Sequence, residues 1–393
     1  MKRIALFLVL VITGTSSAFA APKAVAVKKL SVIATVNAES MVISGKTIIT
    51  VSSTDGANSN ILLTGLDISG IQQWQKTIDS GVDEVALAST VDPTGNIWIA
   101  GASAAPIANE SATVQVQAEN PDGVVTEPIS KLRGDMNLVT LWKISSAGDL
   151  LNTYALAQSS PALINAISAT NSGVSVVGQL MDKPFALSAS NTGVFGKVFS
   201  IGTNKTQFNA VVRNSDGSVS IFGSSSEALA GKKLVGVRDG VLIKLSKTGA
   251  VATLVRSSAP KADRSWLAAD STLALTGYVR TGKVMESAFT KFTTAFAPTW
   301  TMRVPSLGTS AVISSGNTTY GAFSSNSAVS GVTGWKPTSA SVLLLTFDNK
   351  GVVTGAYGSS EISEPISLAY SKELGLIGLA KTANQTVSLF KLA

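Results

Sequence analysis

The sequence predicts an all-β fold, a seven-bladed β-propeller of four-stranded antiparallel blades whose last blade is closed by the N-terminal strand. Three observations predict it. A short strand phrase returns along the chain, a hairpin phrase interleaves with it, and the last unit lacks one strand that the first residues can supply.

The first phrase is "NIWIAG" (96–101), with relatives "TIITVSS" (47–53), "GVSVVGQL" (173–180), "SVSIFGSS" (218–225) and "LALTGYV" (273–279). "TTYGAFSS" (318–325) and "LGLIGLAK" (374–381) complete the set. Each is rich in β-branched or aliphatic residues, and most follow a polar or glycine-containing turn. A second apolar stretch lies just upstream, as in "DEVALASTV" (83–91), "LINAISAT" (163–170) and "FNAVVRNS" (208–215). These two give strands b and a of a unit. Strands c and d come from the hairpin phrase, clearest in "NLVTLWKISSAGDLL" (137–151) and "GVLIKLSKTGAVATL" (240–254).

The period is roughly 45–57 residues, apart from one longer interval. Tandem sandwich domains would need about 100 residues each. One unit is too short to bury both faces of its sheet alone, so units must stack, and stacked four-stranded units close into a propeller. The C-terminal piece supplies only three strands, "ISLAYS", "LGLIGLAK" and "TVSLFKLA", and the missing fourth is found in "KKLSVIATV" (28–36). Sharing one sheet between the two ends covers an open edge.

Glycine weakens a strand, yet Gly101, Gly178, Gly223, Gly277, Gly321 and Gly378 recur at matching positions of strand b. A residue without Cβ permits a bulge or a close approach by a neighbouring strand. A phosphate cradle would need a glycine-rich loop opening a helix, and no helix is predicted after any of them.

Residues 1–20 read as an export signal: Lys2 and Arg3, the apolar run Ile4 to Ile12, and Ala18-Phe19-Ala20 before the cleavage point. That run is too short to span a bilayer. Residues 21–27 read as a linker and 28–393 as one propeller domain. The chain is thus expected to be secreted or periplasmic, with no transmembrane segment, and the lack of cysteine excludes a lipid attached through one. The sequons at Asn109, Asn204, Asn317 and Asn384 matter only in a glycosylating pathway.

Composition narrows the chemistry. Neither histidine nor cysteine is present among the 393 residues, which removes Ser-His-Asp catalysis, thiol nucleophiles and thiolate metal sites. The net charge of +7 is spread, with short clusters at Lys28-Lys29 and Lys232-Lys233, so a nucleic-acid stripe is not expected. These features favour a binding protein over an enzyme.

The segments "SGVDEVALASTVDPTGNIWIAGAS" (80–103) and "RDGVLIKLSKTGAV" (238–251) resemble the bacterial β-propeller repeat of the SBBP kind. The shared pattern is a leading Asp, a Val-Asp-x-x-Gly-Asn turn, an aromatic-containing strand ending in Gly, then Asp-x-hydrophobic-Lys-Leu. The third and fifth units lack the Asp-Gly turn. The resemblance implies a secreted propeller and carries no common activity and no catalytic residues.

The a–b and c–d turns should share one rim, where turn Asp and Asn residues are explained as turn formers. The b–c loops share the other rim and lengthen at 104–136, 225–239 and 325–339. Long loops on one side of a rigid ring mark a binding face. Within 104–136 the alternation on either side of Asn120-Pro121-Asp122-Gly123 suggests a projecting hairpin, followed by the integrin-type tripeptide Arg133-Gly134-Asp135. Candidate binding residues are therefore Trp335, Lys336, Lys232, Lys233, Arg133 and Asp135. Trp335 either grips a partner or folds back onto its own blade. The other five tryptophans, Trp74, Trp98, Trp142, Trp266 and Trp300, are read as packing.

The function expected is binding or scaffolding, engaging a protein partner or extracellular polymer through the long-loop rim. No cofactor is expected on that reading. The alternative is a cation-dependent hydrolase or lactonase at the channel mouth, with Asp79, Asp83, Glu84, Glu361 and Glu364 around a cation such as calcium. A purely structural role in an envelope assembly is the third possibility.

Overall fold

The computed structural model describes residues 24–54, 58–105, 134–181 and 183–393. The expected export signal, the start of the linker and most of the 104–136 insertion, with Arg133, Asn109 and the hairpin, lie outside the described residues. Among the described residues there is no helix, and so none long and apolar enough to cross a membrane.

The chain forms successive antiparallel sheets. The first contains Ser40–Ser44, Thr47–Thr54, Asn60–Leu66 and Gln72–Ile78. The second contains Glu84–Val91, Ile97–Ser103, Leu138–Ile144 and Leu150–Ala157. The fourth contains Thr206–Arg213, Val219–Ser225, Asp239–Leu245 and Val251–Ser257. The fifth contains Ala262–Ala269, Ala274–Thr281, Val284–Phe292 and Pro298–Pro305. In each, the strands are hydrogen-bonded in chain order, so the letters a to d apply directly.

Two places are irregular. The third sheet has only Ala162–Thr170, Gly173–Leu180 and Lys183–Ser190. In place of strand d, isolated bridges join Ala189 to Phe195 and Ala186 to Phe199. Three residue steps on one side face four on the other, and that extra residue breaks the ladder. The two rings pack in opposite directions: Phe195 joins the apolar cluster shared with the second sheet, and Phe199 joins the cluster shared with the fourth.

The second irregularity is the seam. Ser310–Ser315, Thr318–Ser325, Ser341–Phe347 and Val353–Ser359 form a four-stranded unit. It continues through Val25–Val36 into Val387–Leu392, Gly375–Lys381 and Glu364–Ser371 as one nine-stranded sheet, counting the short Val332–Thr333. The N-terminal strand thus starts at Val25, so residues expected in the linker already belong to it. Val27 to Lys29 run parallel to Ala356 to Gly358, and Leu30 to Val36 run antiparallel to Val387 to Leu392. One strand therefore edges two neighbouring units.

The first strands of successive sheets lie against one another along the whole chain, and Glu364–Ser371 lies against Ser40–Ser44. Each neighbouring pair of sheets shares its own apolar cluster. Alternate residues of a strand serve the two neighbours: Val176 packs toward the second sheet and Val177 toward the fourth. Strand b is consequently buried on both faces, and every residue of Ile97–Ser103 and Val219–Ser225 is buried. This is the architecture of a β-propeller.

Strand-b glycines accommodate bulges. A register shift in strand a falls between Ala86 and Ala88, beside Gly101, and between Phe208 and Ala210, beside Gly223. A Cβ on Gly101 would overlap the Val85 carbonyl, and one on Gly223 the Gln207 carbonyl. Gly178 and Gly277 repeat the arrangement. Gly321 and Gly378 instead make room for the rings of Phe289 and Phe390. The matching positions thus solve two different steric problems.

Candidate functional site

The loop rim is built on buried anchors. In the 225–239 loop, buried Asp239 accepts the backbone N–H of Val235 at 3.0 Å and of Gly236 at 2.9 Å. Its side-chain partner is Arg256, whose Nε donates at 2.8 Å while Nη1 donates to the Glu227 carbonyl at 2.8 Å. A buried ion pair whose donors and acceptors are otherwise satisfied fixes geometry more than it adds stability. The effect here is a shaped loop that holds Lys232, Lys233, Val235 and Val237 in solvent.

The neighbouring b–c connections are short but equally exposed at their tips. Met181 is 72% exposed in the third sheet's connection and Val284 61% in the fifth's, beside Val235 at 54% and Val237 at 61%. Lys183 and Lys283 stand next to them in solvent. Consecutive sheets thus present apolar tips among lysines. Other exposed aliphatics, Ile71, Val194 and Val352, recur just after the c–d turn glycine, so the repeat itself explains their position.

Trp335 does not project. It is 7% exposed and its ring lies over Gly358, packed with Val329 and with Val25 and Val27 of the N-terminal strand. The Trp335-led grip on a partner therefore gives way to the folded-back arrangement, because the ring fills the space that a side chain on Gly358 would occupy. Lys336 next to it is exposed. With Lys28 and Lys29 it lines a cleft of about 330 Å3 where the loop meets the N-terminal strand. Asp135 is exposed at the base of the second sheet's insertion, its carbonyl accepting the N–H of Asn137 at 2.8 Å.

The five carboxylates of the hydrolase alternative are engaged separately. Asp79 Oδ1 accepts the Gly81 N–H at 2.8 Å, and Asp83 Oδ1 accepts the Ser59 N–H at 2.6 Å. Buried Glu84 accepts from Ser80 Oγ at 2.8 Å and from Trp142 Nε1 at 3.3 Å. Glu361 pairs with Lys29 at 3.2 Å and Glu364 with Lys381 at 3.8 Å. Among the described residues no three acidic side chains gather as a metal site would need. Turn carboxylates are consumed in the same way: Asp92 Oδ1 accepts the N–H of Thr94 at 2.9 Å and of Asn96 at 3.0 Å.

Sequence reasoning missed two arginines. Arg213 lines the channel mouth on the tight-turn rim, a cavity of about 920 Å3, and donates to Val174 O and Ser175 Oγ, both at 3.1 Å. Arg264 lies on strand a of the fifth sheet, its guanidinium 4.4 Å from the centre of the Trp266 ring. The signal for Arg264 was present in "ADRSWLAA": an arginine two residues before a tryptophan shares its strand face.

No protein-family model and no curated protein matches the sequence. Among solved structures, the chain is similar to a candidate 6-phosphogluconolactonase from Bacteroides fragilis, with TM-score 0.51 and 10% identity over 88% of this chain and 93% of that one. It is also similar to the β-propeller domain of the Trilobed protease from Pyrococcus furiosus, with TM-score 0.48 and 9% identity over 92% and 94% of the two chains. At such identities the likeness is one of fold. The class defined by fold and topology is the β-propeller, and no particular activity comes with it.

Proposed function

We propose that this chain is an exported, seven-bladed propeller that binds a protein partner or an extracellular polymer through its loop rim. The unbroken sequence of neighbouring first strands, returning from Glu364–Ser371 to Ser40–Ser44, supports the count of seven. The SBBP-like repeat pattern and the leader-like residues 1–20 support export.

One observation carries the binding reading. Met181, Val235, Val237 and Val284 stand in solvent beside lysines on three consecutive sheets, held there by connections that do not follow the repeat. Exposed apolar side chains with a polar border are what an interaction surface presents. The lysines add attraction for anionic polymers or acidic protein surfaces.

The test replaces all four tips with serine and compares co-sedimentation with the producing organism's envelope and matrix fractions. A control carries serine at Ile71, Val194, Val251 and Val352 on the opposite rim. Loss of co-sedimentation in the first variant alone is the expected result. Equal binding by both variants and the parent sinks the proposal.

A further inference from the structure

Between the fourth and fifth sheets lies a cleft of about 380 Å3, within the size range of small-molecule sites. Leu242, Val255 and Phe292 form part of an apolar wall, and Ser257, Thr290 and Thr301 bring hydroxyls to it. Three arginines also line it: Arg256, Arg264 and Arg303.

Two of the three are neutralised. Arg256 pairs with Asp239 at 2.8 Å, and Arg303 with Glu286 at 2.7 Å. Arg264 is the exception. Its side chain makes no hydrogen bond or ion pair with any described residue, and its Nε is sealed from solvent without an acceptor. Adjacent Asp263 is committed elsewhere, to Arg280 at 2.7 Å and to the Tyr278 hydroxyl at 3.2 Å.

The head group is nevertheless held in place. Trp266 stacks under it, and the Arg264 backbone N–H donates to the Arg238 carbonyl at 2.9 Å. Burial, with the like charge of Arg303 second, pulls its pKa down to about 10, a mark of a cation lacking a counter-charge. Buried donors in native proteins ordinarily have partners.

Charge balance selects the ligand. The two ion pairs cancel, leaving one positive charge in the cleft and hence room for one negative charge. A guanidinium fork matches a carboxylate, and the apolar wall suits a short hydrocarbon body. We propose that this cleft binds small organic monocarboxylates, with the Arg264 guanidinium receiving the carboxylate and Leu242, Val255 and Phe292 contacting its body. The site is independent of the loop-rim surface.

The test is calorimetric titration and thermal melting of the full chain with benzoate, hexanoate, benzamide and inorganic phosphate. Benzoate and hexanoate are expected to bind saturably and raise Tm with concentration. Benzamide, the neutral match for benzoate, is expected not to bind, and phosphate at least about tenfold more weakly. Arg264→Lys keeps charge but loses the fork, and should weaken benzoate about tenfold or more. Arg264→Leu should abolish binding while leaving the unliganded Tm unchanged or higher, since it removes an uncompensated charge. Unaltered carboxylate binding by Arg264→Leu, phosphate binding as tight as benzoate, or no saturable binding by the parent up to about 10 mM would each overturn the proposal.

Discussion

Glu84 shows how one carboxylate changes meaning between sequence and structure. Its position before strand a suggested a cation ligand, but the side chain is 1% exposed and accepts from Ser80 and Trp142. Burial raises its pKa above the ordinary 4.5, outweighing those hydrogen bonds. The folded state therefore holds this proton where the unfolded chain has released it. Stability from Glu84 is present below about pH 4.5 and is lost as pH rises through the elevated value. Asp92 works in the opposite sense. Burial alone would raise its pKa, but donors from Thr94, Trp98 and Asn96 prevail and lower it, so its contribution is lost as pH falls through the depressed value. Glu84→Gln keeps an acceptor for Trp142 Nε1 and removes the proton. Melting curves from pH 3 to 8 should show the variant gaining on the parent as pH rises above about 4.5, with the acid-side decline retained. Parallel curves across that range would contradict the assignment.

At the scale of elements, the N-terminal strand was half legible. That the last unit needed a fourth strand followed from counting, and Leu30 to Val36 supply it, Leu30 and Val32 packing toward the sixth unit and, past a register shift, Ile33 and Val36 toward the first sheet. The parallel run of Val27 to Lys29 along Ala356 to Gly358 left no trace in the hydrophobic pattern, because parallel pairing on an outer edge requires no particular residue types. The loop rim divides in the same way. Loop lengths placed it, whereas the inward turn of Trp335 depends on Gly358, a residue from strand d of the same unit. The orphan at Arg264 could not be read at all, since lack of an acceptor is a property of tertiary packing. A graded truncation follows from the strand's two halves. Removing the residues before Leu30 exposes the sixth unit's edge and uncovers Trp335 where Val25 and Val27 pack on it, and should lower Tm by several degrees, on the order of 1–3 kcal/mol. Removing those through Val36 also strips Leu30, fully buried in its cluster, and should bring aggregation in size-exclusion chromatography. Equal behaviour of the two truncations would mean that the strand acts as one unit.

For the whole molecule, the decisive feature is that, among the described residues, every neighbouring pair of sheets shares an apolar cluster. Trp98, Phe222 and Phe347 are each fully buried between neighbouring sheets, and burial of such a side chain contributes about 1.5–3 kcal/mol. Stability then belongs to the stack, and strand exchange at the seam supplies a run of ladder hydrogen bonds where junctions such as those at Glu84–Ser59 and Arg264–Arg238 add only isolated backbone bonds to side-chain packing. Circular permutation separates these contributions. Leu392 pairs with Leu30, so the C-terminus lies five residues along the strand from Val25, roughly 17 Å at strand rise. A flexible linker of about ten residues spans that distance. New ends in the exposed c–d turn at Lys247 leave three strands of the fourth sheet on one side and Val251–Ser257 on the other, creating a second non-covalent seam inside a sheet. New ends between Ser257 and Ala262 leave every sheet intact, and side-chain packing with only the short Arg238–Asp263 backbone bridge then holds the opening. Both permutants should show the parent's circular dichroism, because every inter-sheet cluster can still form. The permutant opened within the sheet should melt at the higher temperature of the two, since ladder hydrogen bonds close its gap as they close the natural seam. The reverse order would mean that packing between sheets, and not the shared strand, holds the ring closed.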